Sequence, residues 1–227
     1  MRAIAPPGSA SAESRRAAAL YEIINLRRDT RREFTGASID DNALERVLAA
    51  AHAAPSVGMS QPWDFVLVRN PDTLQAFRDH VAGERDVYAA RLTGERARTF
   101  ASIKIEGICE SRLGIVVGYD ATRGGPDVLG RHAVDDAGLY STVCAVQNLW
   151  LAATAEQLGV GWVSFYREEF LRNLVGMPAH IRPIAWLCVG RVDSLPEVPD
   201  LERFGWRHRS PLEHVVHHER WTRPEPW

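Results

Sequence analysis

Cysteine is scarce. Cys109, Cys144 and Cys188 are the only three in 227 residues, far apart and with no C-x-x-C pair. That spacing excludes a disulfide framework and a paired-thiolate zinc site, and predicts three buried free thiols in a reducing cytoplasm. Charge of one sign is also lacking. The formal net charge is −2, so no basic balance points to nucleic acid or an anionic membrane, and any site for an anionic ligand must be local. Long apolar runs are missing: the best candidate, 142–155, is interrupted by Gln147 and Asn148 and falls short of the ~20 residues a membrane helix needs. There is no G-x-S-x-G elbow, no phosphate-binding P-loop and no internal repeat. His214, His217 and His218 cluster near the end without cysteine or acid partners, so no metal is expected.

What remains is an ordinary soluble composition, 45% hydrophobic and 25% charged. Residues 1–13 are rich in Ala, Ser and Pro and are read as a disordered arm, leaving 14–227 as one domain. Ser14 is placed to cap a first helix reaching about Arg28, with Ala19, Leu20, Ile23 and Ile24 as its apolar stripe. Ser38-Ile-Asp-Asp41 resembles a capping box before a helix through Ala54 that turns Leu44, Val47 and Leu48 inward. A strand over 63–68 follows, then a helix opened by Pro71 and a charged helical stretch to Arg112 that reads as exposed. Strands are expected at 113–119, 162–165 and 184–189. The strongest helix runs over 135–158, with Leu139, Val143, Val146, Leu149, Trp150 and Ala153 on its apolar face. Strands interspersed with long helices point to α/β or α+β layers. Beyond Asp193 the tail is Pro-rich and aperiodic.

Four segments carry candidate chemistry. Arg27 and Arg31 are four apart and share a face if the first helix continues, which makes a phosphate clamp or simply complements the helix dipole. Pro55-Ser-Val-Gly-Met-Ser-Gln-Pro62 joins a helix to a strand. Its backbone can approach a planar ligand closely and the Gln61 amide can bond a heterocycle edge, but an ordinary connection explains the prolines and Gly58 equally well. Gly159-Val-Gly161 lacks the third glycine of a dinucleotide fingerprint and precedes its strand; Ser164 closes that strand. The late cations Arg203, Arg207, His208 and Arg209 either complete a phosphate site or form a solvated face.

In order along the chain, these segments resemble the nitroreductase-like flavoprotein superfamily. The resemblance rests on Arg27-Arg28-Asp29, on Pro55-Ser56 through Gln61-Pro62-Trp63, on Gly159-Val160-Gly161-Trp162, and on Arg207 with Arg209. Within it, Arg27-Arg-Asp-Thr-Arg-Arg-Glu-Phe34, Asp120-Ala-Thr-Arg-Gly-Gly125 and Leu139-Tyr-Ser-Thr-Val-Cys-Ala-Val-Gln-Asn-Leu-Trp-Leu151 resemble the 5,6-dimethylbenzimidazole synthase family.

The resemblance implies an α+β fold with a central, mainly antiparallel sheet flanked by helices. It further implies a homodimer with the tail wrapping its partner, and oxygen-dependent fragmentation of reduced FMN to 5,6-dimethylbenzimidazole and D-erythrose 4-phosphate, supplying the lower ligand of vitamin B12. Reduced FMN is then substrate, O2 co-substrate, and a separate NAD(P)H-dependent flavin reductase a functional partner; no metal, nucleic acid or membrane takes part, and the location is cytoplasmic. Asp29, where ordinary nitroreductases usually carry serine, and Ser164 are implied as catalytic. Arg27, Arg28, Arg31, Pro55, Ser56, Val57, Gly58, Gln61, Lys104, Gly161, Arg207 and Arg209 are implied as flavin-binding, with 85–108 as a lid. Three other activities fit the same fold: a nitroreductase or flavin reductase that keeps its FMN, a cob(II)yrinate a,c-diamide reductase, and a non-catalytic flavin binder. Asp29 and Met59 speak against the first.

Overall fold

The computed structural model describes residues 12–221, so most of the expected arm lies outside the described residues. Helix α1 (Ala12–Leu26) already contains Ser14, which is therefore inside the helix and not its cap. Its expected apolar stripe is not buried: Leu20 and Ile24 remain 53% and 43% exposed, and Ile23 is only half-buried. Helix α2 (Asp41–His52) is capped by Asp40, whose carboxylate accepts from the Ala43 amide at 2.9 Å, in place of Ser38. It buries Leu44, Val47 and Ala51 along one stripe.

The strands are β1 (Trp63–Val68), β2 (Leu113–Asp120), β3 (Leu158–Val163) and β4 (Ile181–Arg191), ordered β1-β2-β4-β3 with every neighbour antiparallel. Between β1 and β2 lie α3 (Pro71–Ala89), α4 (Gly94–Ser102) and α5 (Ile108–Ser111). Beyond β2 come α6 (Ala137–Ala155), α7 (Glu168–Leu174) and, in the tail, α8 (Asp200–Arg203). Asn70 caps α3 through the amides of Asp72 and Thr73, with Pro71 in the first turn, where its missing N–H costs nothing.

The two-residue period of the central strands divides the core. Ile115, Val117, Leu187 and Val189 face α2 and α6, packing on Val47, Val146, Leu149 and Ala153. Val116, Trp186 and Cys188 face the other way, onto Phe77, Val81, Phe100, Ile103, Ile105 and Ile108. Phe77 stacks on Trp186 with ring centroids 3.9 Å apart. The stretch after α3 is thus anchored by buried apolar residues and is not simply an exposed charged segment. The arrangement is an α+β fold, as the resemblance implied.

Two further expectations are corrected. Strand β3 begins at Leu158, so both Gly159 and Gly161 lie within it. Of the three cysteines only Cys188 is buried. Cys109 is half-buried, and Cys144 is exposed because it sits on the side of α6 turned away from the sheet. Burial pushes the Cys188 thiol up to about 12, so it is protonated and inert at neutral pH.

Candidate active site

The site begins where α1 ends. The helix stops at Leu26 because the next residues are captured by the free edge of β3. Asp29 forms a parallel bridge with Val160, and the Thr30 amide donates to the Val160 carbonyl at 2.9 Å. The Trp150 indole N–H fixes the same stretch from α6 by donating to the Arg28 carbonyl at 3.1 Å. Gly159 and Gly161 are what let the backbones come this close: a Cβ at Gly161 would stand 2.2 Å from the Thr30 carbonyl oxygen, and one at Gly159 would meet the Thr30 side chain at 2.8 Å. Arg27 and Arg31 consequently do not share a helix face, and they line different cavities.

The first cavity, about 260 Å³, is lined by Arg27, Arg28, Asp29, Leu201, Arg207, His208 and Arg209 among others. Residues near both ends of the sequence therefore meet at this cavity, without Arg31. Arg27 lies over the Trp150 ring at 5.1 Å from its centroid. Burial, with the charges of Arg209 and Arg27, pushes the Arg28 guanidinium down from its ordinary value. Four arginines against the carboxylates of Asp29 and Glu202 leave this cavity a net positive surplus, which favours an anionic ligand.

The second cavity, about 240 Å³, is lined by Arg31, Tyr88, Phe100, Ile103, Ile105, Trp162, Ser164, Phe165 and Trp206, and shares Leu201 with the first. Asp29 lines the first cavity and bonds to Arg31 and Trp162, which line the second. One carboxylate oxygen accepts from the Trp162 amide at 3.0 Å and the other from the Arg31 guanidinium. Arg31 is itself well buried, at 13% side-chain exposure, and also donates to the Lys104 carbonyl, while Asp29 keeps 32% of its side chain open. Burial is the largest influence on Asp29 and raises its pKa, against the lowering pull of Arg31, the Trp162 amide and Arg27. A carboxylate whose proton affinity is raised in this way is suited to accept a proton.

Other expected site residues lie apart. Lys104 turns its ammonium to Glu110, leaving only its backbone near Arg31. None of Pro55, Ser56, Val57, Gly58 or Gln61 lines either cavity. Their loop packs instead on α6 and on 120–130: the Val57 amide donates to the Ser141 hydroxyl at 3.0 Å, and Gly58 lies against Val128 and Leu129. Arg123 braces the loop by donating to the Gln61 and Trp63 carbonyls at 3.3 and 2.9 Å while pairing with Asp64. Sequence reading overlooked this bracing, together with the aromatic lining from Tyr88, Phe165 and Trp206. The glycine pair at 159 and 161 was the available signal for the docked segment, because two glycines two apart on a strand mark a close backbone approach along one side.

The sequence model of the nitroreductase family matches residues 24–191. The chain is 37% identical over 192 residues to the 5,6-dimethylbenzimidazole synthase of Rhodospirillum rubrum, covering 85% of this chain and 90% of that protein. It is 32% identical to a 5,6-dimethylbenzimidazole synthase of Rhodobacter capsulatus, over 86% of this chain and 94% of that one. In fold it is similar to oxidized iodotyrosine deiodinase bound to FMN and 3-iodo-L-tyrosine, with a TM-score of 0.69 at 20% identity over 89% of this chain and all (100%) of that one. It is also similar to the NADPH:FMN oxidoreductase of Vibrio harveyi complexed with NAD+, with a TM-score of 0.64 at 21% identity over 91% of this chain and 80% of that one.

Proposed function

The chain belongs to the nitroreductase family and, within it, to the 5,6-dimethylbenzimidazole synthases, and we propose that it consumes reduced FMN and O2 to release 5,6-dimethylbenzimidazole and D-erythrose 4-phosphate. The observation that carries this reading is Asp29: a carboxylate of raised pKa that lines the arginine-bearing cavity and is paired with Arg31, a residue of the aromatic one. For merely holding an anionic flavin, a carboxylate there is unhelpful, since like charges repel. For moving a proton it is well placed.

The residues present fit the flavin. Arg27, Arg207 and Arg209 surround a space suited to its phosphate, whose oxygens match the guanidinium donors. Trp162, Phe165 and Tyr88 offer apolar surface for its ring system, with Ser164 at the rim. Bound reduced flavin supplies both the electrons for O2 and the carbon skeleton of the product. Anchoring at the phosphate keeps the sugar chain in place while the bond beyond it breaks, without the arginines entering the chemistry. Asp29 then takes a proton from the first carbon of that chain, and Arg31 with the Trp162 amide fixes the direction in which its free lone pairs point. Phe100, Ile103, Ile105 and Trp206 keep water from the site. The second copy of a homodimer supplies the 55–62 loop, and a separate NAD(P)H-dependent flavin reductase supplies the reduced flavin.

The test is to mix the protein with chemically reduced FMN and air, without nicotinamide, and to look for 5,6-dimethylbenzimidazole by chromatography and mass. FMN recovered intact would sink the reading, and nicotinamide oxidation with FMN preserved would replace it by a nitroreductase activity. Asp29→Asn should bind flavin yet form product at least ~100-fold more slowly, the scale of a lost general base. A collapse of binding instead would make Asp29 structural.

A further inference from the structure

The resemblance groups Arg28 with the flavin-binding arginines, but four of its five N–H donors are engaged by backbone carbonyls. A guanidinium carries five N–H groups. In Arg28, Nε donates to the Pro196 carbonyl at 2.8 Å, and Nη1 donates to the Asn25 and Arg27 carbonyls at 2.6 and 2.8 Å. Nη2 donates to the Glu197 carbonyl. Two of these acceptors belong to the end of α1 and its exit, and two to the tail, 168 and 169 residues away in sequence.

We infer that Arg28 is a positioning residue, a clasp that ties the tail at 196–197 to the end of α1 and so sets Arg207 and Arg209 opposite Arg27. This rests on the reading that the cation-lined cavity takes the flavin phosphate.

The tail needs such a tie. Among the described residues its one α-helix, α8, has four residues; Phe204 and Trp206 pack further along on the cluster around Phe100, but Val198 and Leu201, next to the clasp, are 44% and 37% exposed, so little apolar burial holds 196–201. It also brings Arg207 and Arg209 toward Arg27 and Arg28, against their mutual repulsion. The base of the clasp is firm, because the Arg28 carbonyl is held by Trp150 and the next residue is bridged to Val160. Only a planar fork spans acceptors on both sides; a lysine ammonium is a compact point donor on a flexible stem.

Two measurements on the full-length protein test this. In the first, amide hydrogen exchange is followed without ligand in Arg28→Ala and Arg28→Lys. Both variants should exchange about tenfold faster over 196–209 with α2 and α6 unchanged; an unaltered tail would overturn the clasp. In the second, affinities for FMN and for riboflavin, which lacks the phosphate, are compared. Arg28→Ala should lose about tenfold in FMN affinity and nothing for riboflavin. The loss should also vanish in a background already carrying Arg207→Ala and Arg209→Ala, since a residue acting through those arginines has no further effect once they are gone. A full loss persisting in that background would make Arg28 a direct phosphate ligand, and a parallel loss for both flavins would make it a general structural residue; either overturns the inference. A parent protein that does not distinguish FMN from riboflavin would sink the phosphate reading itself, and the exchange result would still decide the clasp.

Discussion

Asp29 is held by two opposed influences, and pH separates them. Burial raises its pKa despite Arg31, the Trp162 amide and Arg27, so the folded state binds a proton at this position more readily than the unfolded chain does. For a group shifted upward, the stability it contributes is fully present below the unfolded pKa and is lost as pH rises through the folded pKa. Wherever Asp29 is ionised, it therefore costs stability relative to its protonated form. Asp29→Asn removes the titrating group, and with it the Arg31 attraction that offsets part of the burial in the parent. The difference in Tm between Asn variant and parent should therefore shift in favour of the variant from about pH 4 to about pH 8, whatever its sign at the start. A flat difference would mean that the Arg31 contact cancels burial. The price in stability is the kind a fold sustains at a catalytic group, and it is the physical counterpart of the base role proposed for this carboxylate.

At the scale of elements, the docking of 28–31 on the edge of β3 matters more than the helix before it. Gly161→Ala places a methyl on the Thr30 carbonyl, where the neighbour is backbone and cannot swing aside. The variant should lose about 1–3 kcal/mol in denaturant unfolding, as overpacked sites do, and with it the alignment of Asp29 against the Trp162 amide. Gly83→Ala, in α3 with nothing within 4 Å of the added carbon, should instead gain about 0.5–1 kcal/mol. Equal effects would show that helix and strand propensities, not the close approach, govern both positions. The same contrast shows what could be read beforehand. α2, α3, α6 and the strands β1, β2 and β4 were visible in periodicity and turn residues, because those signals are local; of β3 only the last two residues were. The end of α1 was not, since Leu26 is followed by residues with no helix-breaking chemistry; what stops the helix is a strand edge more than a hundred positions later. Asp29, Arg27, Arg207 and Arg209 could be collected only through a whole-chain resemblance, whereas the true partners of Arg28 and Arg31 depend on tertiary contacts that no spacing encodes.

On the scale of the whole molecule, a single copy divides its expected site. Arg27, Asp29, Arg207 and Arg209 line one cavity, while the 55–62 loop lies elsewhere against α6 and Arg123. One copy also leaves apolar surface exposed. Leu20, Tyr21 and Ile24 on α1, Tyr140 and Val143 on α6, and Met59 in the loop are all exposed, and a helix as little buried as α1 is marginal without something to pack on. A second copy that covers this surface and brings its loop to the first copy's arginines accounts for both observations. In the proposed dimer, Arg27→Ala would damage one half of each composite site and Gln61→Ala the other. If each variant alone binds flavin weakly, mixing them through a denaturant exchange step gives about half mixed dimers, each with one intact site of two, and about a quarter of the parent's high-affinity sites should return. Fluorescence titration counts those sites. No recovery from a mixture shown to have exchanged subunits would mean that each chain builds its site alone, and the loop would then have to be removed from the flavin-binding residues.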